Sequence, residues 1–101
     1  MSYSDDAKTI RWNESKNVWL KQTRGIAFEE IVMRISTDDL LDIIDHPNLN
    51  RYPGQKVFVV QVGDRVVAVP FVEDEETVFL KTIIPSRKMK KLYIKGKSRE
   101  A

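Results

Sequence analysis

Cysteine is absent from the sequence, and histidine occurs once in 101 residues. Without thiols there is no disulfide frame, no thiolate zinc site and no cysteine nucleophile, and one histidine leaves little for a metal to bind. Glycine is scarce, four in all, and none falls in a phosphate-cradling repeat. Paired metal carboxylates and a Ser-His-Asp set are also missing, so metal and covalent catalysis are not expected, nor is a bound cofactor. Long apolar runs are lacking too: none is long enough to cross a membrane, and the polar opening MSYSDDAK has no apolar centre of a secretory leader. The expectation is a cytoplasmic protein with no membrane partner.

What is present is one modest core and an uneven charge. The length fits a single domain over residues 1–101, with 1–9 and 96–101 expected as flexible ends. The net charge of +2 is small. Yet from Lys81 onward come Arg87, Lys88, Lys90, Lys91, Lys95, Lys97 and Arg99 against Glu100 alone, while acids gather at Asp38, Asp39, Asp42, Asp45 and Glu73 to Glu76. This asymmetry points to a basic end facing an anionic partner.

Local patterns set the elements. A brief strand is expected at Ile10 to Trp12. Asn13 is a good N-cap for a helix from Glu14 to about Arg24, which Gly25 ends. Phe28, Ile31, Val32 and Ile35 recur at i, i+3, i+4 and i+7 and mark a second, amphipathic helix, although Ala27 at its cap position offers no side-chain acceptor. LLDII between Asp38 and His46 reads as a strand after the polar break Ser36 to Asp39, and residues 48–55 as a loop of turn formers. Strands over 56–62, 66–72 and 78–84, joined by Gly63-Asp64 and by the acidic turn 73–76, make an antiparallel meander. Pro70 removes one ladder donor, which demands a bulge or an edge. The expected fold class is α+β, with two N-terminal helices on one face of a small antiparallel sheet and the other face free for a ligand.

The stretch Val78 to Tyr93 carries most of the chemistry. Its strand runs into Arg87, Lys88, Lys90 and Lys91, a cluster of charge suited to gripping phosphate. Alternation puts Lys81 on the face of Phe79 and Ile83, where it is either a lone functional cation or a lysine snorkelling from the edge.

WNESKN (Trp12 to Asn17), RGIAFEE (Arg24 to Glu30), the meander and IIPSRK (Ile83 to Lys88) together resemble the BrnT family of toxins from bacterial toxin–antitoxin pairs. Trp12, Glu14, Lys16, Asn17, Gly25, Phe28, Glu29, Glu30, Ile83, Ile84 and Arg87 match the family pattern. Arg24, Ala27, Thr82 and Pro85 depart from it, standing where His, Ser, Arg and Ser are usual. The resemblance implies a fold related to the RelE and ParE toxins, a metal-independent ribonuclease that stops translation, and a cognate antitoxin, dimeric and DNA-binding, in a hetero-oligomer with two copies of each chain.

On that implication the catalytic candidates are Lys81 and Arg87 for phosphate stabilisation, which share parity along one strand, with Tyr93 as a stacking or proton-donating group. His46, the only histidine, titrates in the right range for a base but lies in a polar turn that favours a loop-capping role. Lys16, Arg24, Lys88, Lys90 and Lys91 are the expected nucleic-acid-binding residues. The alternative is a non-catalytic toxin, a ParE-like gyrase inhibitor or an inactive partner of the antitoxin, which the departures at Arg24 and Thr82 motivate.

Overall fold

The computed structural model describes residues 8–46, 50–51 and 53–95. In chain order the elements are β1 (Thr9–Arg11), α1 (Glu14–Arg24), α2 (Phe28–Ile35), β2 (Leu40–Asp45), β3 (Lys56–Val62), β4 (Arg65–Glu73), β5 (Thr77–Leu80), β6 (Ile84–Pro85), α3 (Arg87–Lys90) and one π-helical turn (Lys91–Lys95). The strands form one sheet in the order β1-β5-β4-β3-β2, with β6 beside β4 beyond the end of β5. No helix among the described residues is long and apolar enough to cross a membrane.

The helices start and stop where side chains satisfy their ends. The Asn13 side chain accepts from the Lys16 amide and Gly25 closes α1 in the left-handed region at φ 69°. Ala27 gives α2 no side-chain cap, and a residue of α1 supplies one. Asn17, fully buried, accepts from the Phe28 amide at 2.8 Å through Oδ1 and donates through Nδ2 to Glu29 Oε1 at 2.7 Å. The far end of α2 is tied down by Arg34, which donates to Glu30, to Asp39 and to the Gln61 carbonyl.

Parity along the strands divides the sheet into two apolar faces. Phe58, Val60 and Val62 of β3 with Val67, Val69 and Phe71 of β4 meet Leu20, Phe28, Ile31 and Ile35 of α1 and α2, and Phe58 and Phe71 stack at 3.9 Å. The opposite parity, Val57, Val59 and Val66, is at most 2 % exposed. The chain from β6 onward crosses this second face. Ser86 donates its amide to the Val66 carbonyl at one end of the crossing. At the other, the Tyr93 hydroxyl donates to Asp42 Oδ2 at 2.8 Å, and Asp42 is the cross-strand partner of Val59.

Several expectations are corrected here. The fold is not two N-terminal helices on a small antiparallel sheet: among the described residues there are three short α-helices and a six-stranded mixed sheet, because β1 pairs in parallel with β5 and a third helix follows β6. The second face is not free for a ligand, since an apolar face of this size is stable in water only when covered. Thr9 is not part of a flexible lead-in, as its amide bonds the Glu76 carbonyl. Residues 1–7 of the expected flexible start 1–9, and the expected flexible end 96–101, lie outside the described residues, as do 48, 49 and 52 of the expected loop.

The strand expected over 78–84 is broken at 81–83. Lys81 donates its amide to the Pro70 carbonyl, but Pro70 has no N–H to return. Beyond it the register moves from Phe71↔Leu80 to Ala68↔Ile84, one extra residue on the β5–β6 side. The bulge expected in the strand of Pro70 is therefore found opposite it, on the β5–β6 side, while β4 itself pairs with β3 without a break; the extra residue turns Ile83 into the core and Ile84 outward.

Candidate nucleic-acid interface

The antiparallel pairing of β4 with β6 brings the start of one strand beside the end of the other. Arg65 therefore lies beside the first turn of α3, where Ser86 caps the Met89 amide through its hydroxyl. Arg65, Val66, Pro85, Ser86, Arg87 and Lys90 line a pocket of about 200 Å³. Three of the six lining residues are cations and none is an acid. Arg87 and Lys90 face one another's side of α3 because residues three apart share a helix face.

The charge continues from the pocket onto α1. Arg65 donates to the Arg24 carbonyl at 3.3 Å, and Arg24 donates through Nη1 to the Ile83 carbonyl. The Arg24 guanidinium carbon lies 5.1 Å from the Trp19 ring centroid, and Lys16 Nζ lies 4.5 Å from it. Lys16, Trp19, Arg24, Arg65, Arg87 and Lys90 thus form one connected stripe. An acidic counterpart occupies the β4–β5 turn, where Asp74 accepts from the amides of Glu76 and Thr77. Those two amides hold the Asp74 carboxyl below its usual range. The eight steps from Arg65 to Glu73 set the two poles about 27 Å apart along β4.

The expected site residues do not all come together. Lys81 pairs with Pro70 and Ser86 with Val66, four residues apart on β4, so Lys81 is about 13 Å along the strand from the residue that precedes Arg87. The two are not on one strand, and Lys81 Nζ instead lies 5.5 Å from the Phe79 ring centroid. Tyr93 is held by Asp42, and that hydrogen bond, with burial and the carboxylate charge, raises its pKa above the usual tyrosine value. His46 donates its amide to the Gln55 carbonyl at the far end of β2 and β3. Lys88 and Lys91 are exposed on the last turns without lining the pocket. Among the described residues no group of His, Asp and Glu could hold a metal ion.

No family model, curated protein or solved structure matches this chain. The roles of its residues rest on their own geometry. Trp12, Glu14, Asn17, Phe28 and Glu29 serve packing: Trp12 donates to Glu14 Oε2 at 3.1 Å and stacks on Phe28 at 5.7 Å, while Asn17 joins α1 to the amides of α2. Arg65 was not among the expected site residues. The signal for it is the meander itself, since antiparallel order puts the residue after the Gly63-Asp64 turn next to the residues that follow the last strand.

Proposed function

We propose that this chain binds RNA as the toxin subunit of a toxin–antitoxin pair, acting in the cytoplasm. One observation carries the reading: Arg65, Arg87 and Lys90 converge on a pocket free of acids among its lining residues, and Arg24 and Lys16 extend the charge from it. Guanidinium groups match phosphate oxygens in geometry as well as charge. The BrnT resemblance supports RNA as the polyanion and an antitoxin as the partner. An antitoxin that silences such a surface must place acidic groups over the stripe and so compete with RNA.

Binding fits this site better than metal-free cleavage. The pocket has groups to stabilise phosphate charge, but a cleaving site also needs an acceptor for the 2′-OH proton. His46 is at the other end of the sheet, and Tyr93 is committed as a donor to Asp42.

Anisotropy of a labelled RNA, read across a salt series, tests the reading. Arg65→Ala and Arg87→Ala weaken binding alike for every sequence and reduce the salt slope by roughly 0.7–1 each, while Lys81→Ala leaves both unchanged. The RNA is recovered intact. No binding at low salt, or an equal loss in Lys81→Ala, refutes the proposal. Shortened RNA with wild type but not with Arg87→Ala makes the chain a ribonuclease instead.

A further inference from the structure

The pocket accounts for a grip on phosphate and leaves the indole at the other end of the stripe unexplained. Trp19 is 42 % exposed on the outer side of α1, with exposed Val18 beside it, although few side chains gain more from burial than tryptophan. The second tryptophan shows the contrast, since Trp12 is half-buried, hydrogen-bonded to Glu14 and stacked on Phe28. Two cations adjoin the Trp19 ring, Lys16 and Arg24, and Arg24 is itself pinned by its bond to the Ile83 carbonyl.

We infer that Trp19 is a stacking platform for an unpaired base, so that the ligand of the stripe is a single strand. The inference rests on the RNA-binding reading above. A base is joined to a phosphate on each side, and here a ring that can take the base adjoins Lys16 and Arg24, which can take its phosphates. Every base has a π-face, so such a platform is tolerant of sequence. In a duplex those faces are hidden by neighbouring pairs. Base–aromatic stacking outweighs an exposed cation–π contact, so the base displaces Lys16 from the ring and the freed ammonium meets the adjoining phosphate.

The test titrates the full chain with a single-stranded oligoribonucleotide, its duplex and an abasic strand of equal length, reading tryptophan emission and the anisotropy of the labelled strand. The single strand is expected to quench emission, and the duplex and abasic strand to bind without quenching. Trp19→Ala lowers affinity for the single strand by roughly tenfold or more and leaves that for the abasic strand unchanged. Trp19→Phe keeps most of the affinity and loses the quench. Equal binding of the single strand by wild type and Trp19→Ala, or equal quenching by the abasic strand, overturns the platform while RNA binding stands. Failure of all three strands to bind overturns the RNA reading itself.

Discussion

Asn17→Ala removes the one fully buried polar side chain among the described residues, and with it the link from α1 to the start of α2. The Phe28 amide is then left inside the protein without an acceptor, at about 1–3 kcal/mol, and the void left by the amide group brings the total to about 2–4 kcal/mol. A domain of this length is stable by roughly 5–15 kcal/mol, so the change is a large fraction and lowers Tm by about 10–20 °C. Differential scanning calorimetry or thermal circular dichroism reads it directly. Ala27→Ser is expected to stabilise the wild type by about 1 kcal/mol, since a serine hydroxyl at the cap position accepts from the second and third helical amides. It does not repair Asn17→Ala fully, because Phe28 provides the first helical amide and stays orphaned. The pH dependence is a separate check. The Asn17 amide, then the backbone amide of Glu29 and the charge of Lys21, hold the Glu29 carboxyl below its usual range. Stability from a depressed carboxyl is present above the unfolded pKa and lost as pH falls through the folded one, so the gap between wild type and Asn17→Ala narrows below about pH 4. A Tm change under about 3 °C refutes the assignment of Asn17 as the surrogate cap, whereas a gap that stays constant into acid refutes only its bond to Glu29.

Three further outcomes follow from other contacts. The tyrosinate absorbance step that Tyr93→Phe removes lies above the usual tyrosine range; because a raised pKa stabilises below the unfolded value, near 10, and that stability is lost as pH rises through the folded one, the last turns detach from the second face only in alkali. Arg34→Ala costs about 1–2 kcal/mol in chemical denaturation by freeing α2 from Glu30, Asp39 and the Gln61 carbonyl, and Arg34→Lys recovers only part because a single ammonium cannot span all three. Asp74→Ala speeds amide exchange at Glu76 and Thr77, and Asp74→Asn, which keeps a neutral acceptor but not the charge, recovers only part of the protection; the wild-type turn likewise loosens in part as pH falls through the depressed Asp74 value.

The parts of the fold legible in the sequence are those set by neighbours along the chain. Asn13 and Gly25 bound α1, the Phe28-Ile31-Ile35 spacing made α2, and alternation marked β3 and β4, because caps and periodicity act within a few residues. The basic surface was legible only in part. Lys16, Arg24 and Lys90 are among the residues expected to bind nucleic acid and Arg87 is an expected catalytic residue; strand pairing adds Arg65 beside them and separates Lys81, Tyr93 and His46, while Trp19 joins through its spacing along α1.

Residues near one another in the chain set the bounds of α1 and α2, the phase of β3 and β4 and the gathering of positive charge after residue 81, but not the break at 81–83 or the third helix that follows β6. Tertiary structure alone decided that β1 closes the sheet in parallel with β5, that the last turns cover the second face, and that the missing cap of α2 comes from α1. The physical reason is one of range. A helix start or a strand phase is settled by atoms a few bonds apart, whereas a parallel edge, a covered face and a borrowed cap require groups distant in sequence to meet, and burial of apolar surface chooses which of them do.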